Sequence, residues 1–124
     1  MPSTRTTALA LAALLTTTGV LHFAAPRPFV SIVPRSLPRP ELLVAASGVA
    51  ELVCAIALAV PRTQRVGGWL SAATFVAVFP ANVSMALRSG RKPAWYRAAA
   101  WARLPLQLPL IVGAVHVAAG DARF

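Results

Sequence analysis

Four apolar blocks alternate with three short polar breaks along the chain. The blocks cover residues 6–25, 42–60, 66–87 and 98–119. Each block has roughly the 20 residues that a helix needs to cross a ~30 Å hydrocarbon layer. The pattern therefore predicts an all-α fold, an integral membrane four-helix bundle in a single transmembrane domain, 1–124. We expect its helices at about residues 6–25, 41–60, 66–88 and 98–119.

The first block also fits a secretory signal, because the basic residue Arg5 precedes its apolar run. The run is long for such a signal, however, and the candidate cleavage site at residues 22–25 lacks small residues at both key positions. The balance favours a membrane helix that is retained in the protein.

The breaks differ in character. The second break, PRTQR at 61–65, predicts a tight turn between antiparallel neighbouring helices. The first break, PRPFVSIVPRSLPRP at 26–40, contains five prolines interspersed with apolar residues. Prolines in that number argue against a regular helix. We therefore expect a Pro-rich interfacial or re-entrant segment that covers one end of the bundle.

Composition supports a lipid environment. Hydrophobic residues make up 57% of the chain and charged residues only 12%, and the mean hydropathy is +0.68. A domain this small cannot hide so much apolar surface from water. The net charge of +9 would suggest nucleic acid in a soluble protein. Here the basic residues lie in the breaks, which predicts contact with anionic lipid headgroups and no nucleic-acid binding.

The basic residues also predict an orientation. We call the end of the bundle with residues 26–41 and 88–97 side B, and the end with the termini and residues 61–65 side A. Side B carries Arg27, Arg35, Arg39, Arg88, Arg91, Lys92 and Arg97. Side A carries Arg5, Arg62, Arg65 and Arg123. Because cytoplasmic loops are richer in Lys and Arg, side B is predicted to be cytoplasmic.

Five strongly polar side chains fall inside the predicted helices: His22, Glu51, Asn82, Arg103 and Gln107. At ~1.5 Å of rise per residue, they lie roughly 5 to 15 Å from side B. All five are therefore in one half of the bilayer, and each helix contributes at least one. This arrangement predicts a polar pocket in a single leaflet.

Glu51 and Arg103 are the charged members of this set. A carboxylate near the bilayer centre costs at least ~2.5 kcal/mol unless it finds a partner or a proton. We expect a Glu51–Arg103 pair, direct or through one water. Such a pair has two interpretations: it fixes the order of the helices, or it belongs to a binding site.

The other candidates leave similar alternatives open. His22 is either a proton carrier or a hydrogen-bonding residue near a helix end. His22 and Glu51 alone lack the third ligand that a zinc site needs, so no metal is predicted. The single cysteine, Cys54, excludes an intrachain disulfide and a CxxC redox pair.

Prolines coincide with the polar residues on two of the helices. Each of Pro80, Pro105 and Pro109 frees a backbone carbonyl one turn earlier, and such carbonyls need a partner inside protein or in a wet cavity. We expect these three kinks to line the polar pocket. The alternative is that they are ordinary transmembrane prolines with no part in a site.

Several motifs in order give the chain a family resemblance over nearly its whole length. They are GVLHF, IVPRSLPRP, SGVAELVCAIAL, PRTQR, VFPANVSMAL and WARLPLQLPL. With these motifs the chain resembles the DoxX-like family of small four-helix bacterial membrane proteins, whose name comes from a subunit of a thiosulfate:quinone oxidoreductase. The resemblance implies a multi-pass protein of the bacterial inner membrane, close to quinone chemistry and to a redox partner protein.

Three functions remain in competition, and the sequence leaves open whether the protein is an enzyme. The first is a subunit or small enzyme with a quinone-type pocket, in which Arg103 and Asn82 hold ligand oxygens and Glu51 and His22 exchange protons. The second is a structural or assembly protein without a ligand. The third is a small-solute transporter, which a four-helix chain would form only as a homo-oligomer.

Overall fold

Five α-helices make up the described part of the chain. The structure, a computed structural model, describes residues 3–34 and 36–120. The helices are α1 (Thr4–Ala24), α2 (Arg27–Ile32), α3 (Pro40–Ala59), α4 (Gln64–Leu87) and α5 (Ala94–Ala119). All except α2 are long and apolar enough to cross a membrane, which confirms the predicted all-α four-helix bundle. Arg35 and Arg123, counted above for the two sides, lie outside the described residues.

The long helices follow the apolar blocks closely, with one clear difference at α5. This helix begins at Ala94 rather than at residue 98. Pro93 immediately precedes its first turn, where a missing N–H removes no helical hydrogen bond. The polar stretch after Pro93 therefore continues the span as helix instead of interrupting it. Between α3 and α4, the predicted tight turn is a short 3-10 helix at Pro61–Thr63.

The Pro-rich break contains a helix that the sequence did not predict. Helix α2 has Pro26 at its N-cap and Pro28 in its first turn, two positions at which proline is tolerated. The helix ends at Ile32 because Val33 precedes Pro34 and is extended, as a residue before proline prefers. The expectation of no regular helix was wrong for residues 27–32, since only the later prolines act as breakers.

The four long helices form a ring in the order α1, α3, α4, α5. Packing is most extensive within two pairs, α1 with α3 and α4 with α5. The core between them is built from small and medium-sized apolar residues such as Ala8, Leu15, Ala55 and Leu58. The outer surface is apolar as well, with Ile56, Leu87 and Leu108 about two-thirds exposed (66%, 69% and 65%). Several polar side chains, by contrast, are buried inside, which is the distribution expected when lipid is the solvent.

Arginine side chains close the ends of helices on side A. Arg5 of α1 donates to the Ala59 carbonyl at the end of α3, with an N–O distance of 2.7 Å. Arg65 of α4 donates to the Ala118 carbonyl near the end of α5, at 3.3 Å. The last carbonyls of a helix have no partner within it and carry partial negative charge. Two side-A arginines therefore hold helix ends together.

Gly68 allows the backbones of α4 and α5 to approach closely. A Cβ atom at this position would lie 2.5 Å from the Ala118 nitrogen and 2.7 Å from the Ala114 oxygen. Gly113, on α5, is different, because its nearest neighbour would be Thr7 Cγ2 at 3.6 Å, an ordinary contact. Gly68 is therefore required for the close packing of α4 on α5, whereas the position of Gly113 has room for a larger residue.

We predict that Gly68→Ala destabilises the bundle by about 1–3 kcal/mol, because the clash is with backbone that cannot move aside. Gly113→Ala should be neutral or stabilising, since alanine is the better helix former by up to about 1 kcal/mol. Thermal unfolding of both purified variants in the same detergent checks the difference. Equal stability of the two variants would contradict the close α4–α5 contact.

Candidate functional site

A cavity of about 610 Å³ opens between the four long helices towards side B. Its wall is mostly apolar and includes residues of every helix. All five polar residues singled out from the sequence line it: His22 from α1, Glu51 from α3, Asn82 from α4, and Arg103 and Gln107 from α5. The structure thus brings together side chains that are far apart in the sequence.

The carboxylate of Glu51 is buried and has three partners. Thr18 Oγ1 donates to Oε1 in a short hydrogen bond, and Ser47 Oγ donates to Oε2 at 3.1 Å. His22 Nε2 lies 3.2 Å from the same Oε2 atom. Both carboxylate oxygens are therefore satisfied within the α1–α3 pair, as burial of such a group requires.

The other nitrogen of His22 determines how many protons this contact holds. His22 Nδ1 lies 2.6 Å from the backbone oxygen of Thr18. A carbonyl oxygen only accepts hydrogen bonds, so Nδ1 carries a hydrogen. The contact between Nε2 and Glu51 then contains one further proton, on Nε2 if the pair is imidazolium and carboxylate, or on Oε2 if both groups are neutral. In either form the His22–Glu51 pair, which we call the dyad, carries one exchangeable proton and no net charge.

Local features of the two helices place the dyad. Thr18 and His22 are one turn apart on α1, and Ser47 and Glu51 are one turn apart on α3, so each pair shares a face. Gly48 lies at the crossing, where a Cβ would be 2.9 Å from His22 Cβ. The Phe29 ring of α2 stacks on the imidazole with 4.0 Å between ring centroids. The histidine is therefore held by α1, α3 and α2 together.

The direct form of the expected Glu51–Arg103 pair is not found in the described residues, so that form of the prediction was wrong, and the form through one water stays a prediction. Within residues 3–34 and 36–120, the carboxylate of Glu51 pairs with His22 instead, and Arg103 Nη1 donates to Met85 Sδ at 3.6 Å. The reason is the ring order, in which α3 lies beside α1 and α4 but across the bundle from α5. Glu51 and Arg103 face the same cavity from different walls.

A second polar pair crosses from α4 to α5. Asn82 Nδ2 donates to Gln107 Oε1 at 3.1 Å, and Gln107 Nε2 donates to the Phe75 carbonyl at 2.6 Å. This carbonyl is one residue before that of Val76, which Pro80 leaves without its helical donor, and Pro80 itself lines the cavity. Gln107 therefore donates to the backbone of α4 one residue away from the carbonyl that Pro80 frees.

The other two prolines do not line the cavity, so that part of the prediction was wrong. Pro105 and Pro109 are exposed on the outside of α5. Each is two residues from the buried Gln107, which turns it about 200° around the helix. The polar face and the proline face of α5 therefore point in opposite directions.

Two residues of the site were missed at the sequence level. Thr18 donates to Glu51, and its spacing of four residues from His22 was a usable signal. Phe29 also lines the cavity, but its stacking on His22 depends on how α2 folds back, which no local pattern encodes.

No group of three His, Cys, Asp or Glu side chains that could hold a metal is found in the part of the chain that the structure describes.

The segment 27–34, which we call the strap, covers the side-B end of the cavity. Phe29, Ile32, Val33 and Pro34 line the cavity from this segment. Arg88, at the end of α4, donates to the Ser31 carbonyl at 2.8 Å and to the Val33 carbonyl at 3.0 Å. One guanidinium therefore ties the strap to the far side of the bundle.

We predict that Arg88→Gln loosens the strap, because a shorter neutral side chain cannot hold both carbonyls. Backbone amides of residues 29–33 should exchange hydrogen faster, as measured by hydrogen–deuterium exchange mass spectrometry. Arg91→Gln makes the same charge change at an exposed residue and should leave this exchange unchanged. Equal protection in the two variants would show that Arg88 does not hold the strap.

These features define the class of the protein: a multi-pass membrane protein of the four-helix-bundle type, with a polar-lined cavity near one end. Residues 11–118 match the model of a family described as a domain of unknown function, DUF8561, and the chain belongs to that family. No curated protein and no solved structure matches the chain. The resemblance to the DoxX-like family stays a prediction.

Proposed function

We propose that this protein binds a quinone-type molecule in its cavity and exchanges a proton with it through the dyad. The observation that carries the proposal is the buried His22–Glu51 contact on the wall of a mostly apolar cavity. Cavities of this size and character suit an apolar molecule with a few oxygens. Ionisable groups at membrane depth are functional candidates by default.

The chemistry of a quinone fits the contents of the cavity. Reduction of a quinone to a quinol takes up two electrons and two protons. The electrons come from a separate redox protein, which the proposal therefore requires as a partner. The dyad donates one proton to a quinone oxygen and water supplies the other, after which the dyad regains its proton from water at side B.

The location of the protein follows from the same proposal. A quinone is dissolved in the lipid, and the cavity lies between four helices that are long and apolar enough to span a membrane. The excess of Lys and Arg on side B supports a bacterial inner-membrane protein with side B in the cytoplasm and in contact with anionic lipid headgroups. The family resemblance stated above supports a DoxX-like subunit of a redox complex.

A structural role is the second candidate, and one observation favours it. Both oxygens of Glu51 are already satisfied within the protein by Thr18, Ser47 and His22. A network of this kind specifies which helices pack together and in which register. In that case the dyad fixes the α1–α3 pair for assembly with a partner, and the cavity has no ligand.

Glu51→Gln separates the two roles. The amide can accept from Thr18 and donate to His22 Nε2, so we expect the unliganded variant to lose less than about 1.5 kcal/mol of stability. It lacks the exchangeable proton, and its N–H is used by His22, so quinone binding should be lost. A soluble short-chain quinone at a hundred times its Kd should stabilise the parent by about 2.7 kcal/mol. Thermal unfolding with and without quinone should show no such stabilisation in the variant.

Glu41→Gln is the matched control, because Glu41 is exposed in the first turn of α3. This variant should keep the full stabilisation by quinone. Failure of Glu51→Gln to assemble, where Glu41→Gln assembles normally, would favour the structural role. Undiminished stabilisation of Glu51→Gln by quinone would rule out the dyad as the binding group.

A further inference from the structure

Arg103 is the cavity-lining polar residue whose hydrogen-bonding capacity is least used. Its guanidinium has five N–H donors and stays charged under all relevant conditions. In the described part of the chain, the contact found for it is the Met85 thioether at 3.6 Å. A thioether is a weak acceptor and carries no negative charge.

The described carboxylates do not compensate this charge. Glu51 is held by His22, Ser47 and Thr18 on the opposite side of the ring. Glu41 lies in the first turn of α3 and forms no ion pair with Arg103. Since the dyad is neutral overall and the Asn82–Gln107 pair is uncharged, the cavity wall has a net charge of +1, located at Arg103. Arg103 is exposed, and its guanidinium contacts Met85 two residues before the side-B end of α4, so its remaining N–H donors are open to an anion in the cavity.

From this charge distribution we infer that the ligand of the cavity carries an ionised oxygen, which Arg103 binds. The inference rests on the proposed function and makes the substrate class more specific: a quinone or related ring compound with an acidic hydroxyl or carboxyl group. One oxygen of the ligand faces the dyad and accepts its proton, and the ionised oxygen faces Arg103. A charge-assisted hydrogen bond to a guanidinium is stronger than a bond between neutral groups, and the apolar surroundings strengthen it further.

The position of Arg103 supports a ligand in the cavity as the source of the anion. Arg103 lines the same cavity as the dyad but projects from α5, which does not pack on α3 as a neighbour in the ring. A ligand that spans the cavity can therefore contact both groups at once. Its apolar body would lie against residues such as Phe75 and Leu110, which also line the cavity.

A matched pair of ligands tests the inference. The first is an alkyl hydroxynaphthoquinone whose hydroxyl is ionised at neutral pH, and the second is its methyl ether, which cannot ionise. Titration calorimetry on the full chain in a maltoside detergent free of phospholipid gives both Kd values. We expect the ionised compound to bind at least about tenfold more tightly, which corresponds to about 1.4 kcal/mol. In Arg103→Gln this preference should disappear, and Arg103→Lys should keep part of it.

Arg91→Gln removes the same charge from side B at an exposed residue and should leave the preference intact. Equal affinity for the two compounds in the parent, with binding that still depends on Glu51, would overturn the inference and leave the proposed function standing. Binding of neither compound would overturn both.

A lipid phosphate is the other chemical source of an anion for Arg103. A second experiment tests whether Arg103 binds a lipid phosphate. Phosphatidylglycerol is added to the detergent, and thermal stability is compared between the parent and Arg103→Gln. The inference expects the two proteins to gain the same stability from the lipid. A gain that only the parent shows, together with equal affinity for the two naphthoquinones, would assign Arg103 to the lipid and overturn the inference.

Discussion

The need to satisfy a buried carboxylate organises one half of this bundle. Glu51 lies on a largely apolar helix and finds its hydrogen-bond partners on α1 and in its own preceding turn. Those partners fix the register between α1 and α3, and Gly48 permits the short distance between the two helices. The α4–α5 pair has its own polar contact, in which Gln107 donates to the Phe75 carbonyl of α4. The cavity lies between these two polar contacts, one in each helix pair.

The sequence was sufficient for the four long helices and for the five polar residues that line the cavity. Runs of about 20 apolar residues locate spans because a helix in lipid must satisfy its own backbone, and polar residues in such runs turn inward. The sequence did not reveal which polar residues pair, because pairing depends on the order of the helices around the ring. Glu51 therefore pairs with His22 rather than with Arg103. The same limit applies to Pro105 and Pro109, since one side of α5 faces the cavity and the other faces outward.

The charges of the proposed site divide between two places. In this proposal the dyad is neutral while it holds its proton and carries one negative charge after it donates that proton, until water at side B restores it. Arg103 has no such partner among the described residues, so its field acts on whatever occupies the cavity. A site of this kind separates proton exchange from charge recognition. The two proposed roles fall on different helix pairs, α1–α3 and α4–α5.

The contacts that hold the helices together differ between side A and side B. On side A, Arg5 and Arg65 clamp helix termini and Gly68 brings α4 against α5 without a gap. On side B, Arg88 and the stacking of Phe29 hold a strap that contains a single short helix. A larger ligand in the cavity would therefore move the helices apart at side B and leave them in contact at side A. Elastic deformation would be concentrated in the strap, and the side-A half of the molecule would keep its shape.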